Sequence, residues 1–146
     1  MNAQDRLSAL LDRLRARGHR LTPQRVAIVR ALLGHEGHPS VEQLHKEILP
    51  DFPTTSLATV YKTIHLLKEQ GEVLELGFGE LGSRYDGRRP LPHPHLICTR
   101  CGAIADPAGD NPEAMEELVA TLATQAGFTV TSHRFDIFGL CPACRR

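Results

Sequence analysis

Four cysteines form two pairs with the spacing of metal ligands. Two residues separate Cys98 from Cys101, and two separate Cys141 from Cys144. This spacing lets both sulfurs of a pair face one ion, and four thiolates in a tetrahedral arrangement are typical of structural zinc. Two redox dithiols or four unrelated thiols are the alternatives. Because the pairs frame one short segment, we predict a single structural Zn(II) ion.

A second group of residues offers nitrogen and oxygen donors. His93 and His95 alternate along a predicted strand, which places both imidazoles on one face. His38 lies in a Gly-His-Pro turn, Asp86 precedes a proline-rich segment, and Asp106 ends the next short strand. Three imidazoles and two carboxylates suit a five- or six-coordinate Fe(II) or Mn(II) ion better than a closed zinc site. Taken singly, each of these residues is more often a surface residue or a turn cap.

Helical periodicity and capping residues predict four helices in the first half of the chain. Leucines spaced i, i+3, i+4 and i+7 within residues 4–17 indicate an amphipathic helix that ends at Gly18. Thr22 before Pro23 is typical of the start of a second helix. Ser40 and Ser56 are predicted to cap the third and fourth helices.

Two short strands, 73–76 and 83–85, flank the glycine-rich segment 77–82 and predict a β-hairpin. Three helices followed by a two-stranded hairpin are typical of a winged helix-turn-helix, whose last helix enters the major groove of DNA. A generic helical bundle is the alternative. The residues of that helix predicted to reach phosphates and base edges are Thr59, Tyr61, Lys62 and His65.

Charge is distributed unevenly along the chain. The formal net charge is zero, yet residues 1–34 carry seven arginines against two aspartates. Residues 90–146 carry four arginines against six acidic residues. A basic N-terminal segment in a chain of zero net charge indicates an anionic partner for that segment, although a solvated charged helix would have the same composition.

The second half of the chain predicts a small α/β unit. Residues 87–94 are rich in Gly, Arg and Pro and are typical of a hinge. Short strands at 95–99 and 103–106, a helix from Asn111-Pro112 to Gly127 and a last strand at 128–140 follow. We therefore expect an α+β protein: a winged-helix domain at 1–84, a hinge at 85–94, and a zinc-binding domain at 95–146. The last domain is too small to form a large hydrophobic core, so its folding needs a stabilising crosslink such as a bound metal, or a partner.

Several classes of protein are disfavoured. No apolar run approaches the roughly 20 residues that span a bilayer, and the charged first 20 residues are not those of a signal peptide. A cytoplasmic protein keeps its thiols reduced unless a metal holds them. We expect a cytoplasmic protein with no membrane partner. A zinc-dependent hydrolase or a thiol oxidoreductase remains an alternative, but no H-E-x-x-H motif is present. We expect a protein that is not an enzyme.

Together the motifs resemble the ferric uptake regulator family of metal-dependent repressors over nearly the whole chain. The matching pieces are LTPQR at 21–25, GHP at 37–39, LATVY at 57–61, SRYD at 83–86, HPHLIC at 93–98 and the closing cysteine pairs. The resemblance implies a homodimer, with 95–146 as the dimerisation domain, that binds a palindromic double-stranded DNA operator when a regulatory divalent metal is bound.

The resemblance also assigns roles to individual residues. His38, Asp86, His93, His95 and Asp106 match the regulatory metal site of the family, and the four cysteines match its structural zinc site. Arg20 matches a basic residue that enters the minor groove. Thr59, Tyr61 and Lys62 fall in the recognition helix.

The residue type at the two positions that match carboxylate ligands, Asp86 and Asp106, indicates which branch of the family the chain resembles. Iron sensors usually carry Glu at both positions, whereas Asp86 and Asp106 resemble the peroxide-sensing branch. In that branch the bound Fe(II) reacts with peroxide, a ligand histidine gains oxygen, and DNA is released. The positions that match the oxidised residues are His38 and His93. A peroxide-insensitive iron or manganese uptake regulator is the alternative.

Two positions depart from the family pattern. Lys62 stands where peroxide sensors often carry Asn and iron sensors carry Arg, which predicts a different preference for an operator base. Pro92 and Pro94 occupy positions that supply ligands to an additional metal site in some members. Glu113 and His133 match the other half of that site, which we expect to be absent or weak.

Overall fold

The computed structural model describes residues 2–77 and 82–146, and the chain divides into two compact units. Unit 1 is Met1–Pro90 and unit 2 is Leu91–Arg146. Helices and two small sheets make up the elements, which confirms the predicted α+β class. Across the described ranges, every helix is too short or too polar to cross a membrane.

Unit 1 begins with four helices that start at side-chain caps. At the third, the Ser40 hydroxyl accepts the Gln43 backbone N–H at 3.2 Å, while the Gln43 side chain accepts the Ser40 N–H at 2.8 Å. Thr22 and Ser56 cap their helices as predicted. The helices are α1 (Ala3–Ala16), α2 (Pro23–Gly34), α3 (Val41–Ile48) and α4 (Leu57–Glu69).

The apolar faces of these helices pack into one core. All members of this cluster lie between Leu7 and Tyr85, and Leu14 and Leu44 are fully buried within it. The core fixes the helices because each one buries a stripe of aliphatic side chains that water would otherwise contact.

A hairpin follows the helices. Strands β1 (Leu74–Gly77) and β2 (Ser83–Asp86) pair antiparallel, with Leu74 opposite Asp86. The centre of the predicted hairpin turn, 78–81, lies outside the described residues. The order of α2, α3, α4, β1 and β2 is that of a winged helix-turn-helix.

Unit 2 contains a three-stranded sheet and one helix. The elements are β3 (Pro94–Cys98), β4 (Ile104–Ala105), α5 (Pro112–Ala126) and β5 (Phe135–Gly139). The strand order is β4-β3-β5, in which β3 runs antiparallel to β4 and parallel to β5. Because a parallel pair needs a crossover connection, α5 lies in the segment that returns the chain to the sheet.

The predicted last strand is wrong in its length. Residues 128–140 were expected to form one strand, but β5 covers only Phe135–Gly139. Its partner β3 begins at Pro94, directly opposite Phe135. The chain before Pro94 contains a second proline, Pro92, which has no N–H to donate, so residues 128–134 have no ladder on β3 to join.

Much of the apolar surface of unit 2 is exposed in the single chain. None of the residues of α5 is buried, although helical spacing places Met115, Leu118, Val119 and Leu122 on one apolar face. Leu122 is 57% exposed, Phe138 58% and Phe128 75%. Unit 2 alone therefore leaves its amphipathic helix without a covering layer.

Candidate metal centres

The four cysteines meet in one cluster inside unit 2. Cys98 ends β3, Cys101 lies in the next turn, and Cys141 and Cys144 follow β5. Their sulfur atoms all lie within 4.8 Å of one another, and none forms a disulfide. The Cys101 and Cys141 sulfurs are 3.8 Å apart. Sulfurs bound tetrahedrally at about 2.3 Å from zinc lie about 3.8 Å apart, so the geometry and the donor set fit a structural zinc ion.

Proton affinities within the cluster also favour a cation. Hydrogen bonds from the backbone N–H groups of Cys101 and Cys141 lower the pKa of the Cys98 thiol to about 6. Hydrogen bonding to Cys141, together with burial, raises the pKa of the Cys144 thiol to about 12. A thiol surrounded by other sulfurs resists losing its proton unless a positive charge is present. Zinc supplies that charge when four thiolates bind it.

A pair of buried side chains lies within unit 1. His38 Nε2 is 3.4 Å from Asp86 Oδ2, and both side chains are buried. The loop that carries His38 is held against β2, because the Tyr85 N–H donates to the Pro39 carbonyl at 3.0 Å. The Arg84 side chain also donates to the His38 carbonyl at 3.3 Å. The pair offers one imidazole nitrogen and one carboxylate oxygen.

The Asp86 carboxylate is oriented by the turn that follows it. Its Oδ1 accepts the backbone N–H groups of Arg88 at 2.8 Å and Arg89 at 2.9 Å. Burial alone raises the pKa of this carboxyl, but hydrogen bonds from His38 and from these two N–H groups outweigh it, so the pKa lies below its ordinary value. Asp86 is thus held as a carboxylate with Oδ2 toward His38.

Packing fixes the residue after Asp86. A Cβ atom on Gly87 would lie 2.8 Å from Leu32 Cγ, closer than packed atoms approach, so the backbone sits directly against α2. The Gly87 carbonyl accepts a hydrogen bond from Arg6 of α1 at 2.7 Å. Two helices of unit 1 therefore position the turn that orients Asp86.

Unit 2 holds a second donor group made of His93, His95 and Asp106. The two imidazole rings lie 4.4 Å apart between centroids. Asp106 Oδ1 is 3.3 Å from His93 Nε2 and 3.7 Å from His95 Nε2. Pairing of β3 with β4 produces this arrangement, because Asp106 directly follows the short strand β4. Both Nε2 atoms and one carboxylate oxygen thus face one another.

A backbone carbonyl sets the tautomer of His93. His93 Nδ1 lies 2.7 Å from the Leu91 carbonyl oxygen. Because a carbonyl only accepts, Nδ1 carries the proton and Nε2 keeps the lone pair that a metal would use.

The residues predicted to contact DNA lie on the surface of unit 1. Tyr61 and Lys62 are exposed on α4, and the Tyr61 hydroxyl donates to Glu42 of α3 at 3.2 Å. Thr59 is half-buried in the first turn of α4, where its hydroxyl bonds Ser56 at 3.0 Å. His65 pairs with Glu69 on the same helix. Arg20 is exposed in the loop between α1 and α2.

The structure thus brings together the four cysteines, His38 with Asp86, and His93 with His95 and Asp106. In the part of the chain that is described, no cluster of three potential ligands includes Glu113 or His133. Arg6, Gly87 and Asp136 were not predicted to have a role, although each contacts a candidate ligand or its neighbour. Their contacts span up to 81 positions in sequence, and no local motif marks them.

Comparison with known proteins agrees with the motifs. The sequence model described as the ferric uptake regulator family matches residues 16–138. The chain belongs to the ferric uptake regulator family. The peroxide-responsive repressor PerR of Staphylococcus saprophyticus is 36% identical over 142 residues, which cover 97% of this chain and 93% of the relative.

Solved structures extend the match to three dimensions. A zinc uptake regulator complexed with zinc and DNA is 29% identical, with a TM-score of 0.71 over 99% of this chain and 96% of the other. A structure of PerR from Streptococcus pyogenes, described as showing the structural basis for peroxide sensing and gene regulation, is 30% identical. Its TM-score is 0.54, and the match covers 94% of this chain and 92% of the other. The predicted family is confirmed. Ferric uptake regulators are metal-responsive transcription regulators, so the hydrolase and oxidoreductase alternatives are set aside.

Proposed function

We propose that this ferric uptake regulator is a repressor that binds its operator when Fe(II) or Mn(II) is ligated by His38, Asp86, His93, His95 and Asp106. The observation that carries the proposal is that each unit already holds part of this donor set in a buried or half-buried group. Six residues separate Asp86 from His93. An extended tether of that length spans at most about 25 Å, so both groups are able to reach one ion.

The control of DNA affinity follows from that shared ligation. When bound, the divalent ion supplies a positive charge for two carboxylates and, in the case of Fe(II), the means to activate hydrogen peroxide. Ligation by both units restricts the angle between the winged helix and the dimerising unit. DNA is then bound by the one arrangement in which two recognition helices match an operator.

The support for DNA binding lies in α4 and in the loop before α2. Lys62 and Tyr61 are exposed on α4, and Arg20 is exposed outside the helix core. We propose a palindromic double-stranded operator, since two identical winged helices read two half-sites. Selection from random DNA duplexes with Mn(II)-loaded protein tests this proposal. Recovery of an inverted repeat whose binding weakens steeply with salt is expected, and salt-independent binding would contradict it.

The support for a homodimer is the uncovered apolar surface of unit 2. Leu122, Phe128 and Phe138 are exposed, and no described strand pairs with the outer edge of β5. A second copy of unit 2 would bury this surface. Analytical ultracentrifugation should show a dimer that Leu122→Arg weakens. The control is Leu57→Arg, which changes an exposed leucine of unit 1 and should leave the dimer intact.

Peroxide sensing is the finer proposal. Its support is the pair of aspartate ligands and the relatedness to PerR. The net reaction consumes one hydrogen peroxide per histidine. The O–O bond breaks, a C–O bond forms at a ring carbon, the displaced hydrogen moves to nitrogen, and water leaves. The oxidised ring of His38 or His93 is a poorer ligand, so ligation is lost and DNA is released.

Peptide mass spectrometry after mild peroxide treatment tests this step. Fe(II)-loaded protein should gain one oxygen on the peptides that contain His38 or His93, while Mn(II)-loaded protein should not. Tandem fragmentation must separate His93 from His95 and His38 from its neighbours His35 and His45. Intact peptides together with retained operator binding would instead support a peroxide-insensitive iron or manganese uptake regulator.

A further inference from the structure

Asp136 lies beside the candidate ligand His95 through strand register. The parallel pairing of β3 with β5 sets His95 opposite Asp136. Asp136 Oδ1 is 3.6 Å from His95 Nδ1, and the two side chains are only 14% and 2% exposed. The other oxygen, Oδ2, is 2.6 Å from the Arg134 guanidinium, so Oδ1 is the oxygen that faces His95.

One oxygen of this carboxylate is buried without a hydrogen bond. Among the described residues, Asp136 Oδ1 has no hydrogen-bond partner. Buried carboxylate oxygens in folded proteins almost always accept a hydrogen bond, and N–H···O bonds have donor–acceptor distances near 2.9 Å. His95 Nδ1 needs to move less than about 1 Å to donate to it.

A proton on Nδ1 would leave Nε2 as the ligating nitrogen. A neutral imidazole carries one proton, so a hydrogen bond from Nδ1 fixes the lone pair on Nε2. That atom lies 3.7 Å from Asp106 Oδ1, on the side of the ring that faces the other donors. In His93 the proton is likewise on Nδ1, but the group that accepts it is a neutral backbone carbonyl and not a carboxylate.

We propose that Asp136 is a positioning residue that holds His95 as the Nδ1–H tautomer and thereby presents Nε2 to the regulatory metal. This role rests on the proposed function, in which His95 is a ligand. Histidine ligands commonly donate their second ring N–H to a carboxylate or a carbonyl, which fixes the ring and raises the basicity of the ligating nitrogen. The carboxylate makes His95 a stronger donor than His93.

The tautomer can be read without the regulatory metal. Zinc-loaded protein with ¹⁵N-labelled histidine gives distinct long-range ¹H–¹⁵N patterns for the two neutral tautomers, and is recorded above about pH 8, well above the reference histidine pKa of about 6.5. We expect His95 to be the Nδ1–H form, and a substantial Nε2–H population in Asp136→Ala. The same is expected in Asp136→Asn, because Arg134 retains the amide oxygen and the amide NH₂ group, which is a donor, then faces His95 Nδ1. Asp136→Asn keeps the side-chain shape and decides the question if the alanine variant fails to fold. The same tautomer in parent and Asn variant would overturn the proposal.

Metal affinity gives an independent readout. Mn(II) binding, measured by titration of the zinc-loaded protein, should weaken 10–100-fold in Asp136→Asn, while zinc content stays unchanged. The control is Asp12→Asn, which removes a carboxylate from an exposed surface pair with Arg15. Equal Mn(II) affinity in parent and Asp136→Asn would contradict the role. If the parent protein binds no Mn(II), the proposed function fails, whereas the tautomer measurement still decides what Asp136 does to His95.

Discussion

The two units stabilise their donor groups in different ways. Unit 1 has an aliphatic core that reaches from Leu7 to Tyr85, and its His38 and Asp86 are held by loops packed on that core. In unit 2 the buried hydrophobic side chains among the described residues are Ile97 and Cys98, beside Pro94. Its donors are held by three short strands whose ends carry the cysteine cluster.

This difference indicates that a metal takes the place of a core in unit 2. A unit of about 55 residues buries too little apolar surface to fold unless a crosslink such as a bound metal, or a partner, stabilises it. Metal ligation at the ends of β3 and β5 ties together the two strands that carry His95 and Asp136. The structural zinc is therefore expected to act on the second donor group through the sheet, while unit 1 remains independent of it.

Loss of zinc should produce the largest effect. Cys98→Ser removes one of four ligands, and structural zinc sites of this kind contribute about 10–16 kcal/mol of apparent binding free energy. We expect zinc loss, rapid hydrogen exchange throughout unit 2 and no Mn(II) binding. Hydrogen exchange followed by mass spectrometry should show the helices of unit 1 still protected.

The matched control for this experiment is Ser8→Ala, which alters a side chain on α1 of unit 1 and should change neither zinc content nor exchange in unit 2. Loss of protection in unit 1 on zinc removal would mean that the two units do not differ in their source of stability.

A cavity in the core of unit 1 should give the next largest effect. Leu44 of α3 is 0% exposed, so Leu44→Ala should lower the local free energy of unfolding by about 2–5 kcal/mol. Amide exchange of α1 to α4 measures it. The control is Leu122→Ala on the uncovered face of α5, which should leave exchange in unit 1 unchanged. Equal effects of both variants on unit 1 would contradict the comparison.

Overpacking at Gly87 should produce a smaller effect that also reaches the candidate ligand Asp86. The added Cβ of Gly87→Ala would clash with Leu32, and such strain costs about 1–3 kcal/mol. The turn that orients Asp86 would shift, so Mn(II) affinity should fall while zinc content stays constant. Gly34→Ala is the control, because its Cβ meets nothing within 4 Å. An unchanged Mn(II) affinity in Gly87→Ala would show that this turn does not position Asp86.

Local features of this fold were predictable from the sequence, because their causes are local. The capping box of Ser40 and Gln43 lies within four residues, and each cysteine pair lies within one turn. The cysteine cluster and the two parts of the donor set therefore contain only residues that the sequence had already indicated.

Features that depend on register or packing were not predictable. Asp136 lies opposite His95 only because β3 and β5 pair in parallel with one particular register. The start of β5 was misplaced for the same reason, since the sequence of residues 128–134 does not reveal where the partner strand begins. The Arg6 contact with Gly87 joins residues 81 positions apart, and it requires α1 to be in place first.

A surface ion pair in unit 1 should produce the smallest effect. Arg13 of α1 makes two hydrogen bonds of 2.7 Å to the Glu72 carboxylate, and this contact, acting against burial, lowers the pKa of Glu72. The depressed pKa means that the pair stabilises unit 1 above the ordinary glutamate pKa of 4.5 and that this stabilisation is lost as pH falls through the lower folded value. Because Arg13 is 48% exposed, screening limits the contribution to at most about 1 kcal/mol.

Glu72→Gln should thus accelerate amide exchange in α1 slightly at neutral pH and remove part of its acid sensitivity. The control is Asp12→Asn, whose pair with Arg15 is fully on the surface and should have no measurable effect. If Glu72→Gln lowered the local free energy of unfolding as much as Leu44→Ala does, unit 1 would depend on this ion pair to the degree that unit 2 depends on its metal. The contrast between the two units would then not hold.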